Sequence, residues 1–199
     1  MNVESWTRFH SDLRHPYWWG IMGLIVIEST VIAIFLASYF YLWIVNSSTS
    51  RMSWPGVELP SIVYPSVNIG LLLFCGWSMW YGGVLIHKNK TKAFGWLAVA
   101  CCIVATLVLW LRWKQMLGLP FSYDENAYAS FVWVLSGFHF MHVLAGILGT
   151  AVIGWLSFKG YYTEQRNLGV QIDTIYWYYI VASWIPVYFV IYITPRVQW

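Results

Sequence analysis

Long apolar runs alternate with short polar breaks along this chain, and the lengths of the runs set the first expectation. Five stretches, roughly 17–45, 62–86, 94–111, 127–158 and 172–193, are apolar almost throughout. A bilayer core of about 30 Å needs about 20 such residues in a helix. The breaks between them read "NSSTSRMSWPGVELPS", "HKNKTK", "RWKQMLGLPFSYDEN" and "KGYYTEQRN", and they hold nearly all the charge. A closed β-barrel is the other way to satisfy the backbone in lipid, but its strands alternate over about ten residues, and these runs are longer and continuous. The pattern predicts an all-α, polytopic membrane bundle of five transmembrane helices, forming one domain over 1–199. The opening "MNVESWTRFHSDLRHP" contains acidic residues and leads into the first span without a small-residue cleavage site, so that span is expected to stay in the mature chain.

Composition narrows the class further. Of 199 residues 59% are hydrophobic and 10% charged, and the mean hydropathy is +0.59, which excludes an ordinary soluble domain. The net charge of +3 is too small to point to nucleic acid, and the cations sit beside spans, where they are expected to meet lipid headgroups. Arg8, Arg14, Lys88, Lys90, Lys92, Lys159 and Arg166 fall on one side, against Arg51, Arg112, Lys114 and Arg196 on the other. This excess predicts a cytoplasmic N-terminus and an outward C-terminus. Trp18, Trp19, Trp43, Trp54, Trp110, Trp113 and Trp199 cluster at span ends, as interfacial aromatic belts do. Cys75, Cys101 and Cys102 all lie in apolar spans, where cysteine acts as a small hydrophobe.

The polar residues inside the spans carry the candidate chemistry. Glu28, in "GLIVIESTVIAIF", is about twelve residues into its span and so near mid-bilayer. An ionised carboxylate there is costly unless paired or neutralised. In "LSGFHFMHVLAGILGT", His139 and His142 are three residues apart and share one helix face with Leu135, Gly146, Gly149 and Thr150. Small residues on that stripe allow a second helix to approach closely, so this face is expected to be buried. A dinuclear carboxylate site wants several Glu and Glu-x-x-His pairs, and zinc wants three or four ligands. Glu28, His139 and His142 supply three at most, so no metal and no catalytic group is expected on this chain, although a self-contained metalloenzyme stays open. A transporter also stays open, but there is no internal repeat and no pair of broken helices; Pro186 is the one mid-span proline able to bend a helix.

These features together resemble subunit III of the haem–copper terminal oxidases, in its five-helix bacterial form. That family carries a mid-membrane Glu in its first span, where this chain has Glu28. Its next loop carries Trp-Pro and further prolines, as Trp54, Pro55, Pro60 and Pro65 do here. Its fourth span carries Gly-Phe-His-Gly-x-His-Val, matched by Gly137, Phe138, His139, His142 and Val143, with Phe140 in place of the inner glycine. Two further stretches depart from the pattern. Tyr178 and Val181 stand where the family keeps a His and an Asp in its last span, and Arg112 and Trp113 replace a Glu-Tyr pair at the end of the third.

The resemblance implies an accessory role, non-catalytic and free of cofactors. Haem and copper would sit in partner subunits I and II, and this chain would pack on subunit I, hold phospholipid and sustain proton uptake and oxygen reduction, in a bacterial or archaeal cytoplasmic membrane. A related nitric-oxide-reducing complex is the alternative. It also implies that Glu28 faces His139 and His142 across the bundle and hydrogen-bonds one of them, forming a structural polar seam. The histidines are expected to have few other partners because of Tyr178 and Val181. Trp18, Trp19, Arg112 and Trp113 are expected to contact lipid.

Overall fold

In the computed structural model, residues 16–49 and 54–197 are described. Arg8, Arg14, Arg51 and Trp199 therefore lie outside the described residues. Five helices follow in order: α1 Pro16–Thr49, α2 Val63–His87, α3 Thr91–Leu117, α4 Ala127–Phe158 and α5 Leu168–Tyr188. The path of α5 continues through a π-helical turn, Phe189–Ile193, and a 3₁₀ turn, Thr194–Arg196. All five are long and apolar enough to cross a membrane, and the chain is a multi-pass membrane protein.

The helices start and stop where local chemistry permits. The Asn126 side chain caps α4 by accepting from the Ala129 N–H at 2.8 Å, one of the donors a helix start leaves free. Its amide also donates to the Pro55 carbonyl at 2.9 Å, which ties the loop after α1 to the start of α4. α2 and α3 are joined by Lys88–Lys90, where Asn89 takes φ 55°, a left-handed conformation Asn tolerates better than most residues. Pro186 lies within α5 and brings no N–H to the ladder; the π-helical turn begins three residues later. α3 runs six residues past its expected end, and α5 starts four residues before its expected start. The α3 extension carries Arg112 and Gln115, both buried, and the earlier start of α5 puts Asp173 more than a turn inside the helix, where it is buried too.

Helices α2, α3, α4 and α5 form a ring in which α2 packs on α3, α3 on α4, α4 on α5 and α5 back on α2. α1 lies outside, against α4 and α5, and most of its surface is exposed. Small residues set the close approaches. A Cβ at Gly146 of α4 would sit 2.9 Å from Ile180 Cδ1 and 3.2 Å from Trp177 Cζ2, so α5 can lie against α4 only over a glycine. At Gly154 a Cβ would come within 3.0 Å of Ala98 Cβ on α3. The core between the helices is aromatic and dense: Trp177, Trp184, Tyr39, Tyr128 and Tyr192 are all under 2% exposed.

Candidate functional site

Glu28 sits three turns into α1 on the side that meets α4, with its side chain 22% exposed. Its Oε2 meets Nε2 of His142, which is 8% exposed. The other ring nitrogen of His142, Nδ1, lies 2.6 Å from the Phe138 carbonyl of its own helix. A carbonyl only accepts, so Nδ1 carries a proton. Nε2 and Glu28 Oε2 then share one further proton, either as neutral imidazole with neutral carboxyl or as imidazolium with carboxylate. Both arrangements have zero net charge, which is how two titratable groups are tolerated at this depth. Tyr179 and Tyr176 flank the imidazole, with ring centroids 5.9 and 6.5 Å away.

His139 does not join that pair. Its Nε2 lies 3.1 Å from the Ile180 carbonyl on α5, and its ring packs on Trp184 at 4.6 Å. Three residues along a helix turn the side chain by about 60° in net direction, enough for His142 to face α1 while His139 faces α5. The structure thus brings Glu28 to one histidine and commits the other to a different helix.

A second buried acid stands nearby. Asp173, 6% exposed on α5, accepts from the Thr150 hydroxyl at 2.7 Å, and Thr150 Oγ1 accepts from Trp177 Nε1 at 2.7 Å. The result is a directed chain, indole to hydroxyl to carboxylate, that joins α4 to α5. Gly149 makes room for it, since a Cβ there would lie 3.0 Å from Asp173 Oδ1. Sequence reasoning passed over Asp173 because α5 was expected to begin at 172, which put it at the water interface. The available signal was the apolar "LGV" before it and the Trp one turn after it.

Tyr178 and Val181 point elsewhere. Val181 Cγ2 lies 3.4 Å from where a Cβ of Gly76 on α2 would be, and Tyr178 is 44% exposed on the same side of α5. The expected shortage of partners for the histidines does not follow from these two replacements, because neither position faces them.

The four expected lipid contacts separate. Trp19 is 72% and Trp113 54% exposed, at opposite ends of the bundle. Trp18 is half-buried and lines a cavity of about 330 Å³ with Trp80, Val84, His87 and Gln171. Arg112 is corrected: it is 1% exposed, with its guanidinium carbon 3.5 Å from the Trp184 ring centroid, so no headgroup reaches it. Its helix continues past it to Leu117, which puts it inside the bundle. Among the described residues no group of three or more His, Cys, Asp or Glu converges as metal ligands do.

A family model for cytochrome c oxidase subunit III matches residues 7–195. The chain belongs to the cytochrome c oxidase subunit III family. Similar proteins include the cytochrome c oxidase subunit 3 of Thermostichus vulcanus, 28% identical over 193 residues, covering 94% of this chain and 90% of the relative. That of Synechocystis sp. is 27% identical over 188 residues, covering 92% and 77%, and that of Arabidopsis thaliana 24% identical over 177 residues, covering 87% and 67%. Within this subunit III family fold, the Glu28–His142 contact joins the outlying α1 to α4, beside the ring contacts of Phe35 with Phe138 and of Tyr39 with Tyr128 and Phe131.

Proposed function

We propose that this chain is the accessory subunit III of a haem–copper oxidase in a bacterial or archaeal cytoplasmic membrane. It packs on subunit I in a complex with subunit II, and haem and copper belong to those partners. The N-terminus lies in the cytoplasm and the C-terminus outside. The match to the subunit III family over residues 7–195 carries this reading. The geometry supports it, because the polar groups of the spans are used to join helices: Glu28 with His142, His139 with the Ile180 carbonyl, Asp173 with Thr150. The relatives above are named as cytochrome c oxidase subunits, which favours oxygen reduction over reduction of nitric oxide.

In this role the chain supports proton uptake and oxygen reduction by the complex and holds phospholipid. The Trp18 cavity supports the lipid part, since apolar Trp80, Val84 and Ile175 line it together with polar His87, Asn167 and Gln171. Such a mixed lining suits an acyl chain below its headgroup. The test is purification through a tag on this chain. Haem-bearing partners should co-purify, and the chain separated from them should contain no stoichiometric iron or copper. A complex lacking the chain should keep its haem but take up protons more slowly. Stoichiometric metal on the separated chain, or purification without haem-bearing partners, overturns the proposal. Native mass spectrometry should also find phospholipid retained with the complex and reduced by Trp18→Ala.

A further inference from the structure

Near the outward end of the bundle, a cation is enclosed without a counter-ion. Arg112 on α3 is 1% exposed, and a guanidinium stays charged wherever it is placed. The Trp184 ring, 3.5 Å from its carbon, covers a face but leaves the in-plane N–H groups unserved. Nε, Nη1 and Nη2 of Arg112 all lack a hydrogen-bond partner. Tyr192 is the polar neighbour in electrostatic and hydrogen-bonding reach, yet its hydroxyl already takes the amide N–H of Gln115 and, being neutral, compensates none of the guanidinium charge. Trp184 Nε1, Gln115 Oε1 and His139 Nδ1 are also buried without partners.

The inventory has an excess of donors. Three guanidinium nitrogens and an indole N–H face two acceptors, because His139 donates through Nε2 to the Ile180 carbonyl and keeps a lone pair on Nδ1 in its neutral form. Arg196 adds a second cation beside Tyr192, and among the described residues it donates to the neutral carbonyls of Tyr192 and Pro60. Among the described residues no carboxylate lies within ion-pair distance of Arg112. A buried cation left uncompensated is strongly unfavourable, and added hydrogen bonds alone do not cancel its charge.

We infer that Arg112 and Trp184 form an internal binding site for one small monovalent anion of the halide class. The anion accepts from the guanidinium and the Trp184 indole, and a companion water serves Gln115 Oε1 and His139 Nδ1. The occupant is small because the chain closes the site by itself: Trp184 is 1%, Tyr192 0%, His139 4% and Gln115 6% exposed. A lipid phosphate or a side chain from a partner subunit has no way in. By joining α3 to α5 through the ion, and α4 through the companion water, the site ties down the π-helical end of α5.

The test uses the purified complex. Bromide is exchanged for chloride, and anomalous diffraction is collected at the bromine edge, with gluconate as the anion that is too large to enter. The expected result is a bromide peak within hydrogen-bonding distance of the Arg112 guanidinium and of Trp184 Nε1. Halide should also raise the melting temperature of the complex saturably relative to gluconate. Arg112→Gln removes the peak and the halide dependence. Trp184→Phe keeps an aromatic face beside the guanidinium but loses the indole N–H, so it lowers the bromide occupancy and supplies the variant arm if Arg112→Gln fails to assemble. No anomalous peak at Arg112, or ordered water alone in its place, overturns the inference, as does unchanged occupancy in Trp184→Phe.

Discussion

Removing one member of the Glu28–His142 pair is the most direct probe of how α1 is held. The side chains are 22% and 8% exposed, so in Glu28→Ala the imidazole Nε2 is left in an apolar setting with nothing to bond. Orphaning a buried polar group costs about 1–3 kcal/mol, and intramembrane hydrogen bonds average about 0.6 and reach about 1.7 kcal/mol in double-mutant cycles, against about 1–2 kcal/mol in model peptides. A double-mutant cycle of Glu28→Ala and His142→Ala is therefore expected to show a coupling of about 1–2 kcal/mol. Glu28→Gln adds discrimination. Its amide can donate to Nε2 of a neutral His142, so it should keep most of the coupling if the shared proton rests on the carboxyl, and lose it if the state is imidazolium with carboxylate. The assay is an SDS titration of the purified complex, with the midpoint for loss of this chain read for each variant. In parallel, infrared difference spectra should show a carboxylic-acid C=O band that Glu28→Gln abolishes in the first case and no such band in the second. A coupling below about 0.5 kcal/mol, the scatter expected of independent sites, refutes the view that this contact holds α1 to α4.

Other substitutions test the α4–α5 contact and the termini. Thr150→Val removes the acceptor for Trp177 and the donor to Asp173 and should destabilise the complex by about 1–3 kcal/mol in the same titration, while Thr150→Ser should be close to neutral. Gly146→Leu drives a side chain into Ile180 and Trp177 and should cost about 1–3 kcal/mol or more from overpacking, seen as a lower melting temperature. Asn126→Ala loses the cap of α4 and the tie to Pro55; it should cost about 1 kcal/mol and speed proteolysis in the loop between α1 and α2. Val181→Asp places an acid where the resemblance expects one, but at this position it faces Gly76 of α2 rather than the histidines. It should destabilise the chain and leave the Glu28–His142 coupling unchanged.

Asp124 bears on the outer loop and on pH. It is fully exposed, and its hydrogen bond with Ser122, followed by one with the backbone, holds its carboxyl below the usual carboxylate range. A depressed acid of this kind contributes order above its unfolded pKa and loses it as pH falls through the folded one. Proteolysis of the loop before α4 should therefore quicken only in acid, and Asp124→Asn should remove that dependence.

Which groups meet was far less legible in the sequence than where the helices run. Glu28 was readable as a group needing a partner because a lone acid in twenty apolar residues has few options. That the partner is His142 and not His139 depends on the rotation of α4 between α1 and α5, and no local pattern encodes it. Arg112 read as an interfacial cation because polar residues follow it, yet α3 continues to Leu117 and carries it inside. Asp173 was missed for the mirror reason, since α5 begins at Leu168, before its expected start. Both errors are errors of helix ends, where polar residues can signal water or a buried contact equally well.

By itself the sequence determined the class, the number of helices and the family. Lipid obliges every span to satisfy its own backbone, so apolar length alone dictates a helix, and the Gly-Phe-His pattern with Glu28 is local enough to be recognised. Only the tertiary structure decided that the polar residues divide into separate contacts, among them Glu28 with His142, His139 with the Ile180 carbonyl, Asp173 with Thr150, and Arg112 against Trp184. Side-chain partners depend on how neighbouring helices are rotated and offset, and that is set by close packing over residues such as Gly146 and Gly154, each of which matters only once its neighbour is in place.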